Sequence, residues 1–297
     1  MFLAPDPPSW RALGKVWPHA SVSEFVDSGG LRWHVQTMGE GPVALLIHGT
    51  GASSHSWRDV MPLLAQHMQV LAIDLPGHAF TDAPPSYRLT LPRVARLVAG
   101  LLDEIGVSVD VAIGHSAGAA ILIEAIHSQA VQPRALIGVN GAFQPFEGLA
   151  GSVFPAMAKL LFINPLTPRV FALSGRDERR VRRLIDQTGS QIDQQGVDYY
   201  HALMMSSGHI AGALAMMANW DLQRLQSRFK DVGTPTLLLA GDKDRTVRPA
   251  VSARVAEAMP NASLEIVEGC GHLLHEERPE EFARRCLSFT HERGVFA

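Results

Sequence analysis

The stretch Val109 to Ile126 constrains this 297-residue chain more than any other. It runs from the apolar Val109–Ile113 into Gly114-His115-Ser116-Ala117-Gly118 and out through the small and apolar Ala119 to Ile126. The pattern reads as strand, sharp turn and helix, with a serine at the turn. Glycines on both sides let the backbone take a strained conformation that lifts the hydroxyl off the sheet edge. Side chains there would clash with the neighbouring strand and helix.

The surrounding sequence supplies the layers such a turn needs. Leu31–Thr37 alternates like an early antiparallel strand, and Val43–Ile47 is a short apolar run of the kind buried on both faces of a sheet. Further strands are predicted at Val70–Asp74, Ala135–Val139, Thr236–Ala240 and Ser263–Val267, and helices at Ser54–Gln66, Leu91–Ile105, Ala250–Ala258 and Glu280–Ser288. The alternation predicts an α/β fold, a mostly parallel sheet with helices on both faces. Between residues 143 and 227 the strand signal stops. Helices are expected there at Gly151–Leu161, Arg176–Thr188, Asp198–Met205 and Ile210–Trp220. The reading is therefore a core of residues 1–142 and 228–297 with an inserted helical cap, 143–227, over the carboxyl ends of the strands. Open α/β sheets place their ligands there. Met157, Met204, Met205, Met216 and Met217 fall in the cap, where methionine either fills gaps between helices or lines an adaptable apolar pocket.

A serine hydroxyl is a weak nucleophile and needs a base in hydrogen-bond reach, itself oriented by a third group. In Gly269-Cys270-Gly271-His272, small residues let a loop bring an imidazole over the serine, so His272 is the candidate base. Gly241-Asp242-Lys243-Asp244-Arg245-Thr246-Val247, after a predicted strand, resembles the acid-bearing loop of α/β-hydrolases. That resemblance selects Asp244, three residues after the glycine, as the acid, and leaves Asp242 as a turn residue. The order Ser116, Asp244, His272 is the α/β-hydrolase order. The other acid position of that superfamily falls near Val139-Asn140-Gly141, which offers only an amide. His48-Gly49-Thr50-Gly51 resembles the family's oxyanion loop, which implies the backbone N–H groups of Thr50 and Ala117 as the oxyanion donors. His48 is read as a structural histidine, Asp74-Leu75-Pro76-Gly77-His78 as a structural turn, and His275 as a helix-entry or pocket residue.

The flanks are more specific. Trp10, Trp17-Pro18, Gly30 to Gln36 and His48 to Asp59 together resemble the magnesium-chelatase accessory family of bacteriochlorophyll biosynthesis clusters. The resemblance implies a role near magnesium insertion into protoporphyrin, as enzyme, carrier or assembly aid. It also implies magnesium-chelatase subunits as partners and an apolar small-molecule substrate, for which a tetrapyrrole would fit. Arg176, Arg179, Arg180, Arg182 and Arg183 would then meet propionate carboxylates; the competing reading is a solvated helix face paired with Asp177, Glu178 and Asp186.

Other chemistries lack their residues. A formal charge of −3 and the absence of a basic stripe interleaved with aromatics give no case for nucleic acid. No Gly-x-x-x-x-Gly-Lys-Ser/Thr, dinucleotide fingerprint or His-Glu-x-x-His occurs, so neither cofactor nor metal is expected. Two cysteines, Cys270 and Cys286, make no disulfide framework and suggest a reducing cytoplasm. The proline-bearing first 20 residues do not read as a signal peptide. No apolar run reaches the ~18 residues of a membrane span.

Overall fold

Apolar runs with no polar face can be stable only with both faces covered, and they form the centre of the sheet. The computed structural model describes residues 6–85, 89–144, 164 and 166–295. Its strands are β1 (Ser23–Ser28), β2 (Leu31–Met38), β3 (Val43–Ile47), β4 (Gln69–Ile73), β5 (Val111–His115), β6 (Ala135–Val139), β7 (Thr236–Gly241) and β8 (Ala262–Val267). They line up as β1-β2-β4-β3-β5-β6-β7-β8. The first two pairings, β1 with β2 and β2 with β4, are antiparallel, and all the others are parallel. Every residue of β5, β6 and β7 is buried. The expected mostly parallel α/β sheet is the observed one.

Helices α1 (Trp10–Leu13), α2 (Met61–Leu64), α3 (Leu91–Ile105) and α4 (Ala117–His127) precede β6. Helix α3 buries one stripe, Leu91, Val94, Ala95, Val98, Leu101 and Leu102, and stops at Gly106, whose φ of 77° lets its N–H reach the carbonyls of Leu102 and Asp103. Helix α4 is apolar nearly all round, as a helix wedged into the core must be. Its seating depends on glycine. A Cβ on Gly118 would lie 2.1 Å from the Ile47 carbonyl oxygen, and one on Gly114 would lie 2.5 Å from the Ala119 nitrogen. One core layer packs α3 and α4 against the sheet, and a second packs α2 and the C-terminal helix on the opposite face.

Between β6 and β7 come α5 (Thr167–Gly175), α6 (Glu178–Gln187), α7 (Gln194–Met204), α8 (Ser207–Asn219) and α9 (Leu222–Gln226). Asp177, Asp193 and Ser206 cap the starts of α6, α7 and α8 by accepting backbone N–H bonds. The chain ends with α10 (Pro249–Ala258), α11 (Leu274–Glu277) and α12 (Pro279–Glu292). No helix among the described residues is long and apolar enough to cross a membrane.

Several expectations shift. The helix expected over Ser54–Gln66 is instead a 3-10 turn at Ser54–Trp57 and the single turn α2. Pro62 has no N–H to donate to the Arg58 carbonyl, and His19 Nε2 bonds that oxygen at 2.6 Å instead. The strand entering the serine turn begins at Val111 rather than Val109 and runs to His115. Helix α7 begins four residues before the expected Asp198, at its Asp193 cap. Strand β1 and helix α5 were not anticipated. The helix expected at Gly151–Leu161, with Met157, lies outside the described residues.

Candidate active site

The serine turn is strained as its sequence requires. Ser116 has φ 50° and ψ −112°, outside the regions a non-glycine residue favours, and it is only half-buried. Two backbone bonds hold it there: the Ser116 N–H donates to Val139 at 3.0 Å, and the Ala142 N–H donates to Ser116 at 3.0 Å. Ala117 is the first residue of α4, so its N–H belongs to the group of helix-start donors without an intrahelical acceptor. Gly49 lies alongside; a Cβ there would sit 3.0 Å from the Ser116 Cβ. The oxyanion-type loop thus flanks the serine.

That loop is held by histidine. The Leu75 N–H can only donate, so His48 Nε2 accepts from it at 2.9 Å, and the proton must sit on Nδ1, which donates to the Gly49 carbonyl at 2.7 Å. Because a trans peptide points its C=O and N–H in opposite directions, fixing the Gly49 carbonyl fixes the Thr50 N–H. Burial lowers the His48 pKa and favours this neutral form. Asp74 is likewise structural. It is fully buried and accepts from His34 Nδ1 at 2.8 Å, from the Ser54 N–H at 2.7 Å and from the Phe80 N–H at 3.3 Å.

His272 Nδ1 and Asp244 Oδ2 are 2.8 Å apart, and both residues are buried. The other Asp244 oxygen accepts the Thr246 and Val247 N–H groups at 2.7 and 2.8 Å, which aims the carboxylate. Asp242 faces elsewhere and caps the Gly269 N–H at 2.7 Å. Asn140, at the superfamily's other acid position, has φ 46° and serves as a clamp. Its Nδ2 donates to the Gly271 and His272 carbonyls at 3.0 and 2.8 Å, and its Oδ1 accepts the Gly241 N–H at 2.9 Å. His115, the neighbour of Ser116, adds a second bond to the His272 carbonyl from Nε2 at 2.9 Å. His275 lies in α11, buried between Trp57 and His115 with ring centroids 4.4 and 4.5 Å away.

The inserted helices touch these loops, which no sequence pattern announced. The Leu273 N–H donates to Ser190 Oγ at 2.8 Å and the Arg245 N–H to the Thr188 carbonyl at 3.0 Å, so one turn of the insertion bonds both the acid loop and the histidine loop. Arg58 binds Glu276 at 2.6 Å, Asp193 at 2.9 Å and Asp59 at 3.2 Å, and Tyr200 donates to Glu276 at 2.7 Å. The Arg58 and Glu276 side chains are 4% and 0% exposed. Burial holds the Glu276 carboxyl up at about 7 even beside the guanidinium. Removing one member of a buried pair strands its partner, so Arg58→Met is expected to destabilise the protein by about 3–5 kcal/mol in urea unfolding at pH 7. A change below about 1 kcal/mol would mean the network carries no net stability.

Met216, on α8, is buried in the core layer with its Sδ 3.6 Å from Thr50 Oγ1, whereas Met205 is exposed. Arg176, just past α5, and Arg179, Arg180 and Arg183 on α6 are exposed, and Arg180 reaches Asp177 at 3.8 Å; Arg182 bonds Gln194.

A chain of Rhodobacter capsulatus named magnesium-chelatase 30 kDa subunit is 40% identical over 268 residues, which cover 90% of this chain and 93% of that one. The 2-hydroxy-6-oxo-6-(2'-aminophenyl)hexa-2,4-dienoic acid hydrolase of Metapseudomonas resinovorans is 27% identical over 287 residues, covering 93% of each. The crystal structure of an alpha/beta hydrolase fold protein from Burkholderia ambifaria shares the fold, with a TM-score of 0.77 at 24% identity over 90% of this chain and 97% of that one. The profile described as the alpha/beta hydrolase family matches residues 44–285, and together with this sheet order it places the chain in the alpha/beta hydrolase family.

Proposed function

We propose that the protein is a serine hydrolase acting on an ester or related carbonyl substrate, with Ser116 as nucleophile, His272 as base and Asp244 as its orienting acid. The observation that carries this reading is the 2.8 Å contact between His272 Nδ1 and a carboxylate whose other oxygen is fixed by two backbone donors, with the His272 loop bonded by His115 to the strained turn of Ser116. Ser116 Oγ would attack the carbonyl carbon while His272 Nε2 takes its proton. The oxyanion would lie against the Thr50 and Ala117 N–H groups. His272 then returns the proton to the leaving group, and water, activated by the same imidazole, hydrolyses the acyl-serine. Residues 143–227 would act as the cap over the core of 1–142 and 228–297.

The identity to the Rhodobacter capsulatus chain supports a place near magnesium insertion into protoporphyrin, with chelatase subunits as partners and a tetrapyrrole as the apolar ligand. Two buried free cysteines fit a cytoplasmic setting. The same relative favours a second reading, a chelatase-assisting or porphyrin-binding protein that does no hydrolysis. The dienoic acid hydrolase favours a third, C–C bond hydrolysis with the same three residues.

A fluorophosphonate probe separates these. Labelling of the folded wild type and none of Ser116→Ala is expected. Equal labelling of both, or of neither, overturns the serine reading. Loss of pigment in a bacteriochlorophyll-producing strain carrying Ser116→Ala would exclude the non-catalytic role, and dienone against simple ester substrates would divide the remaining two.

A further inference from the structure

We infer that His209, on the inserted helix α8, is a positioning residue for the oxyanion loop, so that seating of the insertion completes the site; this rests on the serine-hydrolase reading above. The Ala79 N–H can only donate, so His209 Nδ1 accepts from it at 3.0 Å. The proton therefore sits on Nε2, which donates to the Gly51 carbonyl at 3.1 Å. Burial lowers the His209 pKa to about 4, and the ring stays neutral with one acceptor and one donor.

The carbonyls on the two sides of Thr50 are thus each held by an imidazole N–H, Gly49 by His48 from the core and Gly51 by His209 from the insertion. Packing does not do this for Gly51. Its φ is +80°, and a side chain there would meet no neighbouring atom within 4 Å. The conformation of the loop then depends on its hydrogen bonds. Helix α8 makes two further contacts with the same region, Thr50 Oγ1 with Met216 Sδ at 3.6 Å and Gly212 against the backbone of Gly77. A shift of α8 would therefore release the Gly51 carbonyl and remove one of the two anchors of the turn that carries the Thr50 N–H, leaving the Gly49–Thr50 peptide held by His48 alone.

The test uses the full chain and three variants. Glutamine places an amide donor near the Nε2 position and can restore the Gly51 bond. Asparagine ends near the Nδ1 position and can restore only the Ala79 bond. Two quantities are read: the second-order rate of fluorophosphonate labelling, whose phosphoryl oxygen must enter the oxyanion site, and hydrogen–deuterium exchange across residues 48–53.

His209→Ala and His209→Asn are expected to label about tenfold or more slowly and to exchange faster at 48–53, with His209→Gln close to wild type. Asparagine performing as well as glutamine, or a folded His209→Ala with unchanged labelling and exchange, overturns the inference. If His209→Ala does not fold, the glutamine–asparagine comparison decides alone. If the wild type takes no label, the serine-hydrolase reading falls, and the exchange pattern still decides whether His209 holds the loop.

Discussion

Replacing Asp244 with asparagine is expected to lower turnover of any accepted ester about 10⁴-fold while leaving the fold in place. Asp244 has two duties, one on each oxygen. Oδ1 accepts the Thr246 and Val247 N–H groups, and Oδ2 accepts His272 Nδ1–H. An asparagine can keep the backbone donors on its carbonyl oxygen, so its side chain stays in place. It must then point its NH₂ at Nδ1. That donor turns Nδ1 into an acceptor and moves the imidazole proton to Nε2, the nitrogen that accepts the serine proton in the proposed mechanism. The loss therefore falls on kcat, with thermal stability close to wild type. A kcat within tenfold of wild type would remove Asp244 from the mechanism.

A comparably large effect is expected on mild acidification. His48, His55, His78, His115, His209 and His275 are all buried, and burial lowers the pKa of each. The unfolded chain binds a proton at each of these positions below about pH 6.5, and the folded chain binds one less readily. Their contribution is complete above that pH and is lost as the pH falls. Glu276 runs the other way, since its raised folded pKa of about 7 makes the native state hold a proton that the unfolded state has released. Six histidines against one carboxyl leave the unfolded chain binding more protons below about pH 6.5, so stability falls as the pH drops through and below that value. Each net proton is worth about 1.4 kcal/mol per pH unit, a sizeable share of a typical stability of about 5–15 kcal/mol. Urea melts at pH 7, 6 and 5.5 check this. Stability that stays flat or rises between pH 7 and pH 5.5 would contradict it.

The parts of the site that sequence reading finds are those written in contiguous residues. Gly114 to Gly118, His48 to Gly51 and Gly269 to His272 are each one turn of chain whose glycines state the backbone they need. What escapes is spread along the chain. Asn140 excludes an acid by its chemistry, but its bonds to Gly241, Gly271 and His272 join three loops that only the sheet brings together. The Arg58 network draws on residues 58, 59, 193, 200 and 276, with no spacing to read. Strand β1, Ser-Glu-Phe-Val-Asp-Ser, is polar at four of its six positions and carries no alternation, because as an edge strand it buries little. A signal for it did exist. Gly29-Gly30, both with positive φ, is a two-residue hairpin turn joining it to the recognisable β2. The Ser54–Gln66 helix failed for the opposite reason, since its periodicity was real and Pro62 overrode it.

Gly212 and Gly77 meet backbone to backbone, and a Cβ on Gly212 would lie 2.0 Å from the Gly77 oxygen. For anyone wishing to change what the protein accepts, this face of α8 is closed. There is no side chain to shorten and no space to lengthen one. The helix can move away only by giving up its contacts with Ala79, Gly51 and Thr50 as well. In the proposed arrangement, with the insertion capping the substrate, enlarging or reshaping the substrate space falls to the other inserted helices and to the outward faces of α8. Libraries that hold residues 77, 209 and 212 constant should therefore retain far more active members than libraries that vary them.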